Sequence, residues 1–245
     1  MDRSLYIAMS GAKQTLQAQA SNSHNLANAS TTGFREDLAQ FRSMPVYGQG
    51  YPTRVYAMHE QPGVNFEQGS VQTTGRDLDV AVNGEGWIAV QAKDGSEAYT
   101  RAGDLRLTPE GILETGAGLP VIGGGGPIAI PPAQKLDIGA DGTISIIPLG
   151  DKANTLAVLD QIKLVKPPLS QLEKREDGLV QIKDGGIAQA STEVGLITGA
   201  IEGSNVNAVA SMVNMIELAR QFEMQVKMMK TVDENEAASS KLMQL

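Results

Sequence analysis

The sequence predicts an α+β protein in which a compact antiparallel β domain is inserted between N- and C-terminal helices that pair as a coiled coil. Apolar residues recur at helical spacing near both ends of the chain. Between them, short apolar runs are separated by glycine-containing turns, which is typical of antiparallel strands. The chain has 245 residues, long enough to bury a core, and 41% of them are hydrophobic.

The first helix is predicted over about residues 4 to 26, where there is no proline and a single glycine. Leu5, Met9, Ala12 and Leu16 follow one another at steps of four, three and four. This spacing places them on one face of a helix, while polar side chains occupy the other faces. Such a narrow apolar stripe requires a partner helix.

The second helix is predicted from a cap at Ser204 or Asn205 to about Leu242, because this stretch has no glycine or proline. Its apolar positions step by three and four, close to the 3.5-residue repeat of a coiled-coil seam. They are Val209, Met212, Ile216, Ala219, Phe222, Val226 and Met229. A helix of this length favours an interhelical seam over an ordinary core helix.

Five strands are predicted in the middle of the chain: 78–82, 87–90, 143–147, 162–165 and 179–182. Asn-Gly or Asp-Gly pairs, which supply the positive φ of tight hairpin turns, connect this region. They are Asn83-Gly84, Asp94-Gly95, Asp141-Gly142, Asp177-Gly178 and Asp184-Gly185.

A further segment, residues 31–65, is predicted to be an extended aromatic arm that packs on its neighbours. It carries Phe34, Phe41, Tyr47, Tyr51 and Tyr56, five of the ten aromatic residues. Arginines interleave with these rings, a pattern also found in proteins that stack single-stranded nucleic acid. The net charge of −8 argues against nucleic acid as a partner. The predicted organisation is therefore 1–30 helix, 31–65 arm, 66–201 β domain and 202–245 helix.

The inventory of reactive side chains predicts no catalytic, cofactor or metal site. The chain has no cysteine, and His24 and His59 show no metal-ligand or triad spacing. Asp77 and Asp79 flank one residue of a predicted strand and are the best candidates for an enzymatic or cation site, although a solvated strand face is the simpler interpretation. The glycine run 123–126 lacks the Lys-Ser or Lys-Thr of a phosphate loop and is interpreted as a β connector.

No run of eighteen apolar residues and no basic segment followed by an apolar stretch occurs, so neither a membrane span nor a cleaved secretion signal is expected.

Four blocks of sequence carry a resemblance to a known family. Residues 25–34 read Asn-Leu-Ala-Asn-Ala-Ser-Thr-Thr-Gly-Phe, and the other blocks cover residues 68–87, 99–113 and 202–223. In this order they resemble the signature blocks of the flagellar axial proteins, the rod and hook subunits of the bacterial flagellum. Length and the C-terminal segment are most similar to the proximal-rod subunits, with the distal-rod subunits as the alternative within the family.

The resemblance implies a structural subunit without a cofactor, whose terminal helices line the inner tube of a helical axial structure that transmits torque. Implied partners are further copies and other proximal and distal rod subunits. The implied location is the basal-body rod, which crosses the periplasm, after export by the flagellar type III apparatus without a cleaved signal peptide.

The implied interface uses the helical stripes, within a subunit and between neighbours, and the signature blocks. The assigned residues are Leu5, Met9, Ala12, Leu16, Asn25, Leu26, Asn28, Thr31, Gly33, Phe34, Ser204, Asn205, Val206, Val209, Met212, Ile216, Phe222, Val226 and Met229. Outside the family, the residues alone also allow a β-domain ligand-binding module with a helical dimerisation stem.

Overall fold

A computed structural model describes residues 3–47, 54–148 and 157–243 of the chain. It divides into two compact units, which are described separately. The helical unit comprises Met1–Ala29, Asp37–Gly63 and Val206–Leu245, and the β unit comprises Ser30–Glu36 and Val64–Asn205. The two helices and the many short strands confirm the predicted α+β class.

The helical unit contains two helices and two strands. They are α1 (Arg3–Ala27), β1 (Asp37–Pro45), β2 (Val55–Val64) and α2 (Ala208–Met243). The β unit contains the remaining strands. They are β3 (Val71–Thr73), β4 (Val80–Asn83), β5 (Trp87–Gln91), β6 (Glu97–Thr100), β7 (Leu105–Leu107), β8 (Leu113–Thr115), β9 (Ala133–Ile138), β10 (Thr143–Pro148), β11 (Ala157–Gln161), β12 (Leu164–Val165), β13 (Leu172–Lys174), β14 (Val180–Ile182), β15 (Gly195–Thr198) and β16 (Ala200–Glu202).

The two helices pack antiparallel. The Asn22 side-chain amide donates to the Ser211 carbonyl oxygen at 2.7 Å, and Gly11 lies against the side chain of Gln225. Small residues on α1 permit this close approach. The buried positions are Ala8, Gly11, Ala12, Thr15, Ala18, Ser21 and Asn25. On α2, the least exposed positions repeat at steps of four and three: Ser211, Met215, Leu218, Phe222, Gln225, Met229 and Val232.

Helix α2 begins one turn later than the sequence predicted. Its cap is Asn207, whose Oδ1 accepts the backbone N–H groups of Val209 and Ala210 at 3.1 Å. The prediction of Ser204 or Asn205 as the cap was therefore wrong, because the Asn205 side chain binds other backbone groups. The 36 residues of α2 span about 54 Å, against about 38 Å for the 25 residues of α1.

Strands β1 and β2 form a two-stranded sheet in the helical unit. The Val46 N–H donates to the Arg54 carbonyl oxygen at 2.9 Å, and the Phe41 and His59 rings meet edge to face. The segment predicted as an arm therefore contains paired strands, and part of it, Ser30–Glu36, belongs to the β unit. Tyr51 lies outside the described residues. Alternation was not apparent in this segment because β1 is exposed along almost its whole length and the described side chains of β2 are half-buried or exposed, so neither strand has a fully buried face.

The β unit is built from small antiparallel sheets around one main core. The largest has five strands in the order β12-β5-β6-β14-β13, and β9, β10 and β11 form a second sheet. Strand β4 pairs with β15, and β3 pairs with β16. The core is mostly aliphatic, with Ile88, Leu105, Leu113 and Ile144 fully buried.

Each of the five predicted strands overlaps an observed one, and each glycine of the five predicted turn pairs has positive φ, between 71° and 84°. The strands and the positive φ of the glycines are confirmed, and the pairs at 94–95, 141–142 and 177–178 each join two strands that pair with each other. Asn83-Gly84 and Asp184-Gly185 do not form hairpins, because β4 pairs with β15 and not with β5, and Gly185 ends a 3₁₀ turn. The other strands of the β unit were not predicted: β3, β6, β7, β8, β9, β11, β13, β15 and β16. All of them except β9 and β11 have only three or four residues, which are too few to show a period of two.

Candidate assembly interface

One flank of the helix pair carries exposed apolar side chains. Successive residues of a helix are rotated by about 100° around its axis. Thr15 is buried in the helical unit and is taken as 0° on α1. On this scale, the side chains of Leu5, Met9 and Leu16 lie at about 80° to 120° around the helix. Met9 and Leu16 expose 54% and 49% of their surface although both are large and apolar. Fully burying one such side chain is worth about 1.5 to 3 kcal/mol, so this flank favours a covering partner.

Helix α2 contributes to the same flank. Counted from Ser211, which accepts the hydrogen bond from α1, Met212 and Ile216 lie at about 100° and 140°. Viewed from one end of the pair, the residue angle increases in opposite rotational senses along two antiparallel helices. Equal angles, measured on each helix from the residue that faces the other helix, therefore lie on the same side of the pair. Met212 and Ile216 expose 54% and 56% of their surface. We call Leu5, Met9, Leu16, Met212 and Ile216 the apolar flank.

The predicted seam is therefore only partly an intrachain contact. Ala12, Phe222 and Met229 lie on the faces with which the two helices meet, and Val226 lies at the border of that contact. The predicted contacts of these residues with neighbouring subunits stay a prediction. Within the chain, Met9, Leu16, Met212 and Ile216 remain exposed, and Val209 points away from α1. The physical reason is that small residues, and not the large apolar ones, make the closest approach between the helices.

The opposite flank of α1 is covered by the two strands of the helical unit. The Gln14 side-chain oxygen accepts the His59 backbone N–H at 2.8 Å. Asn25 pairs with both backbone polar groups of Asp37, at 2.9 and 3.0 Å. His24 Nδ1 lies 3.1 Å from a carboxylate oxygen of Asp37. These contacts lie on the side of α1 away from the apolar flank, so they leave that flank uncovered within the chain.

The Asn-Leu-Ala-Asn block ends α1. The Asn28 side-chain amide and the Asn28 backbone N–H both donate to the His24 carbonyl oxygen, at 2.9 and 3.2 Å. Carbonyl groups of the last helical turn have no partner within a helix, so these hydrogen bonds stabilise its end. Leu26 is half-buried on the side of α1 that faces α2. Asn25 and Asn28 therefore have architectural roles within the chain.

The other signature residues lie at the edge of the β unit. The Asn205 side chain accepts the Glu36 N–H at 2.8 Å and donates to the carbonyl oxygens of Asn65 and Glu67 at 2.9 and 3.0 Å. The Asn205 backbone N–H also reaches the Phe34 carbonyl oxygen. One side chain thus fastens residues near 36, 65 and 67, which are distant in sequence.

Gly33 and Phe34 are fixed in the same region. The Gly33 N–H donates to the Glu202 carbonyl oxygen at 2.8 Å, and φ of Gly33 is 67°. Phe34 is buried beneath the Lys174 ammonium group, which lies 4.0 Å from the ring centroid. Of the remaining predicted residues, Thr31 is exposed, Ser204 is half-buried and Val206 is buried.

A buried charge cluster lies beside these residues. Glu202 is 1% exposed, and its carboxylate accepts hydrogen bonds from Arg35 at 2.5 Å, from Arg101 at 2.9 Å and from the Gly69 N–H at 2.9 Å. Burial lowers the pKa of Arg101, an effect that the charge of Glu202 opposes. We call Arg35, Arg101 and Glu202 the Glu202 cluster.

Trp87 packs against the Glu202 cluster. The guanidinium carbons of Arg35 and Arg101 lie 5.8 and 5.4 Å from its ring centroid, and Phe66 meets it edge to face at 5.8 Å. Attraction between cations and the indole ring offsets part of the desolvation of two buried guanidinium groups. Sequence reasoning missed the Glu202 cluster, although Arg101 and Glu202 lie inside two of the signature blocks. The reason is that the sequence of a single strand does not show whether a charged residue is buried or exposed unless its charge partner is known.

The candidate chemical sites offer little for catalysis. Asp77 lies in an exposed turn, whereas Asp79 is buried and pairs with Arg76 at 3.5 Å, so the two carboxylates do not share a strand face. Within the part of the chain that the structure describes, no group of three potential metal ligands occurs. None of the described helices is long and apolar enough to cross a membrane.

A cavity of about 710 Å³ lies in the β unit against the glycine run 123–126. The Gly124 N–H donates to the Asp160 carboxylate at 3.1 Å, so an anionic side chain already occupies this turn, as suits a β connector and not a phosphate loop. Lys163 and Glu97, which also line the cavity, pair with each other at 2.8 Å.

Comparison with protein families gives matches along the chain. Residues 5–35 match the family described as flagella basal body rod protein, and residues 81–146 match the D1 domain of the flagellar hook protein FlgE/F/G. Residues 197–242 match the C-terminal region of the flagellar basal body rod FlgEFG protein.

Full-length relatives agree with these matches. The chain is 45% identical to the flagellar basal-body rod protein FlgF of Escherichia coli K12, over 100% of both chains. It is 36% identical to FlgF of Caulobacter vibrioides, over 96% of this chain and 95% of that one. The flagellar basal-body rod protein FlgG of Bacillus subtilis is 32% identical, over 96% of both chains.

Proposed function

Because the chain belongs to the flagellar basal-body rod protein family, we propose that it assembles with other rod subunits through its apolar flank and transmits motor torque. Members of this family are structural proteins, and FlgF, the relative with the higher identity, is a proximal-rod protein. The proximal rod is therefore the assigned position, and the distal rod is the alternative that the FlgG relatives represent.

The observation that carries the proposal is the exposure of large apolar side chains on one flank of the paired helices. Isolated soluble proteins seldom expose a contiguous apolar surface without a binding partner. A contact between the apolar flanks of two copies would close as a two-fold dimer, whereas a head-to-tail contact, in which the flank meets a different surface of the next subunit, does not close and produces a helical array. The head-to-tail contact is the one that suits a rod.

The structure also supports a division of labour between the predicted interface residues. Leu5, Met9, Leu16, Met212 and Ile216 are proposed to contact neighbours. Asn25, Asn28, Gly33 and Asn205 act within the chain and keep both units in the form that neighbours recognise.

We also propose that the chain reaches the periplasmic rod through the flagellar type III export apparatus, without cleavage of a signal peptide. The full-length similarity to flagellar basal-body rod proteins supports this route. In cells lacking the export gate, the subunit should remain cytoplasmic, and the N-terminal peptide from isolated basal bodies should carry residues 1–10 intact. Export in the gate mutant, or removal of those residues, would contradict the route.

The assembly proposal is tested with Ile216→Asp and the matched control Met224→Asp. Both residues are exposed on α2, at 56% and 61%, but Met224 lies at about −140° from the α1 contact, on the other side of the helix. The measurements are swimming, rod content of isolated basal bodies, and the amount of subunit exported to the periplasm.

Ile216→Asp should abolish rod assembly while export remains, because assembly would bury an unpaired carboxylate. Met224→Asp should retain assembly. Normal rods with Ile216→Asp would refute the apolar flank as an interface, and loss of rods with both variants would refute its specificity.

A further inference from the structure

The last residues of the β unit complete strands that begin more than a hundred residues earlier. Strand β15 pairs with β4 from Val80↔Thr198 to Asn83↔Gly195, and β16 pairs with β3. Among the described residues, β4 and β3 have no other strand partner. We call residues 194–205 the closing segment.

The closing segment also supplies buried apolar surface. Val194, Leu196 and Ala200 are at most 4% exposed, and Val194 and Leu196 belong to the main core together with Val80 and Val82 of β4. The side chain of Val194 occupies the space above Gly86, where a Cβ would lie 2.5 Å from it. Without this segment, β4 would expose both its backbone edge and its apolar side chains.

The same segment brings the carboxylate of the Glu202 cluster. Arg35 and Arg101 are 2% and 3% exposed, and both form ion pairs with Glu202. Burying a guanidinium group without a counter-charge is strongly unfavourable, whereas a buried pair with good geometry is tolerated. The Glu202 cluster cannot therefore be buried before Glu202 arrives.

The sequence separations within this arrangement are large. The Arg35 and Glu202 side chains are 167 residues apart, Gly69 and Glu202 are 133 apart, and Asn205 and Glu36 are 169 apart. The closing segment thus joins the first and last parts of the β unit. Long-range pairings form late because loop-closure entropy is spent before the contacts form.

We propose that docking of the closing segment is the step that completes the folding of the β unit. In this step the Glu202 carboxylate forms its ion pairs with Arg35 and Arg101, which allows both guanidinium groups to become buried. In a chain whose synthesis has not reached residue 205, the β unit then stays incompletely folded. The functional benefit of this delay rests on the proposed export, because an incompletely folded chain is available for translocation. The folding order itself is independent of export and of rod assembly.

Trp87 provides a direct reporter. It is the single tryptophan of the chain and lies against both arginines of the Glu202 cluster. Its fluorescence should change when the two guanidinium groups stack on it. Refolding of the full chain can therefore be followed at the Glu202 cluster by fluorescence and along the backbone by pulsed hydrogen exchange with mass spectrometry.

In the unmodified full chain, peptides containing β4, β15 and β16 should gain protection with the same rate constant, within about twofold, and the Trp87 signal should change in that phase. Because it uses no variant, this measurement tests the proposal even if substitutions prevent folding. Protection of β4 before β15, or a Trp87 change that precedes protection of β16, would overturn the proposal.

Glu202→Gln keeps the shape of the side chain and removes its charge. We expect it to slow the Trp87 phase by tenfold or more or to abolish it, whereas the matched control Glu217→Gln, exposed on α2, should leave it within twofold. An unchanged rate with Glu202→Gln would refute the role of the charge. These outcomes differ from those of the assembly test, since Ile216→Asp leaves the closing segment intact.

Discussion

Substitution of Gly33 by alanine tests how closely the turn at residues 31–33 approaches the backbone of Arg101 and Ala102. Gly33 has φ of 67°, a conformation that costs a residue with a Cβ about 1 to 2 kcal/mol. The added Cβ would lie 2.3 Å from both the Ala102 nitrogen and the Arg101 carbonyl carbon. Since ordinary contacts are about 3.5 Å or longer, the two backbone segments would have to separate by about 1 Å.

The separation has a cost that can be worked out from the contacts. Overpacking typically costs about 1 to 3 kcal/mol. The hydrogen bond from the Gly33 N–H to the Glu202 carbonyl oxygen, 2.8 Å long, contributes about 1 kcal/mol. With the backbone term, Gly33→Ala should lower the free energy of unfolding by about 3 to 6 kcal/mol.

The matched control is Gly75→Ala. Gly75 has φ of 72°, but no atom lies within 4 Å of the added Cβ. Only the backbone term applies, so the expected loss is about 1 to 2 kcal/mol. The assay is equilibrium urea unfolding followed by Trp87 fluorescence, which reports the β unit. Equal losses for the two variants would refute the close approach as the reason for glycine at position 33.

Asn205→Ala removes three side-chain hydrogen bonds and should lower the free energy of unfolding by about 2 to 4 kcal/mol in the same assay. Asn207→Ala removes the cap of α2 and should lower it by about 1 kcal/mol, with a decrease in helix content measured by circular dichroism. If both variants lowered the free energy of unfolding, followed by Trp87 fluorescence, by a similar amount, the roles assigned to Asn205 and Asn207 would be contradicted. Asp104→Asn should stabilise the chain at pH 7, because burial first, and then the neighbouring Asp79, raise the pKa of Asp104. Because the carboxyl pKa of Asp104 is raised in the folded state, the native chain loses stability as the pH rises through that pKa. The gain in stability from Asp104→Asn should therefore vanish below about pH 4, where the carboxyl group of the unfolded chain is also protonated. A higher melting temperature of the variant that persists at pH 3 would contradict this assignment.

The predicted elements that matched the structure are those whose signal is local. The helical periods at both ends and the Asp-Gly and Asn-Gly turns depend on residues close together in sequence, and both were found as predicted. The short strands β3 and β16 were missed because three residues carry no period, and their existence depends on partners far along the chain. The paired strands β1 and β2 were missed for a different reason, since none of their described side chains is fully buried and neither strand shows a buried face.

The apolar stripes of the two helices show what a one-dimensional pattern leaves open. Leu5, Met9 and Leu16 are on one side of α1, as the spacing predicts, but periodicity does not say which helix covers that side. Within the chain, α2 packs instead on a face of alanine, glycine, serine and threonine, since these residues allow the helix axes to come close. The large apolar residues Met9 and Leu16 remain exposed within the chain.

The sequence by itself determined the α+β class, the two terminal helices, five of the strands and the family, because local periodicity, turn residues and signature blocks all depend on residues that are close together in the chain. Only the tertiary structure decided that Arg35, Arg101 and Glu202 form one buried cluster, that Asn205 fastens three distant segments, and that Met212 and Ile216 stay exposed. Each of these depends on which residues meet across a hundred or more positions. Such meetings follow from packing and from the pairing of buried charges, which no local pattern records.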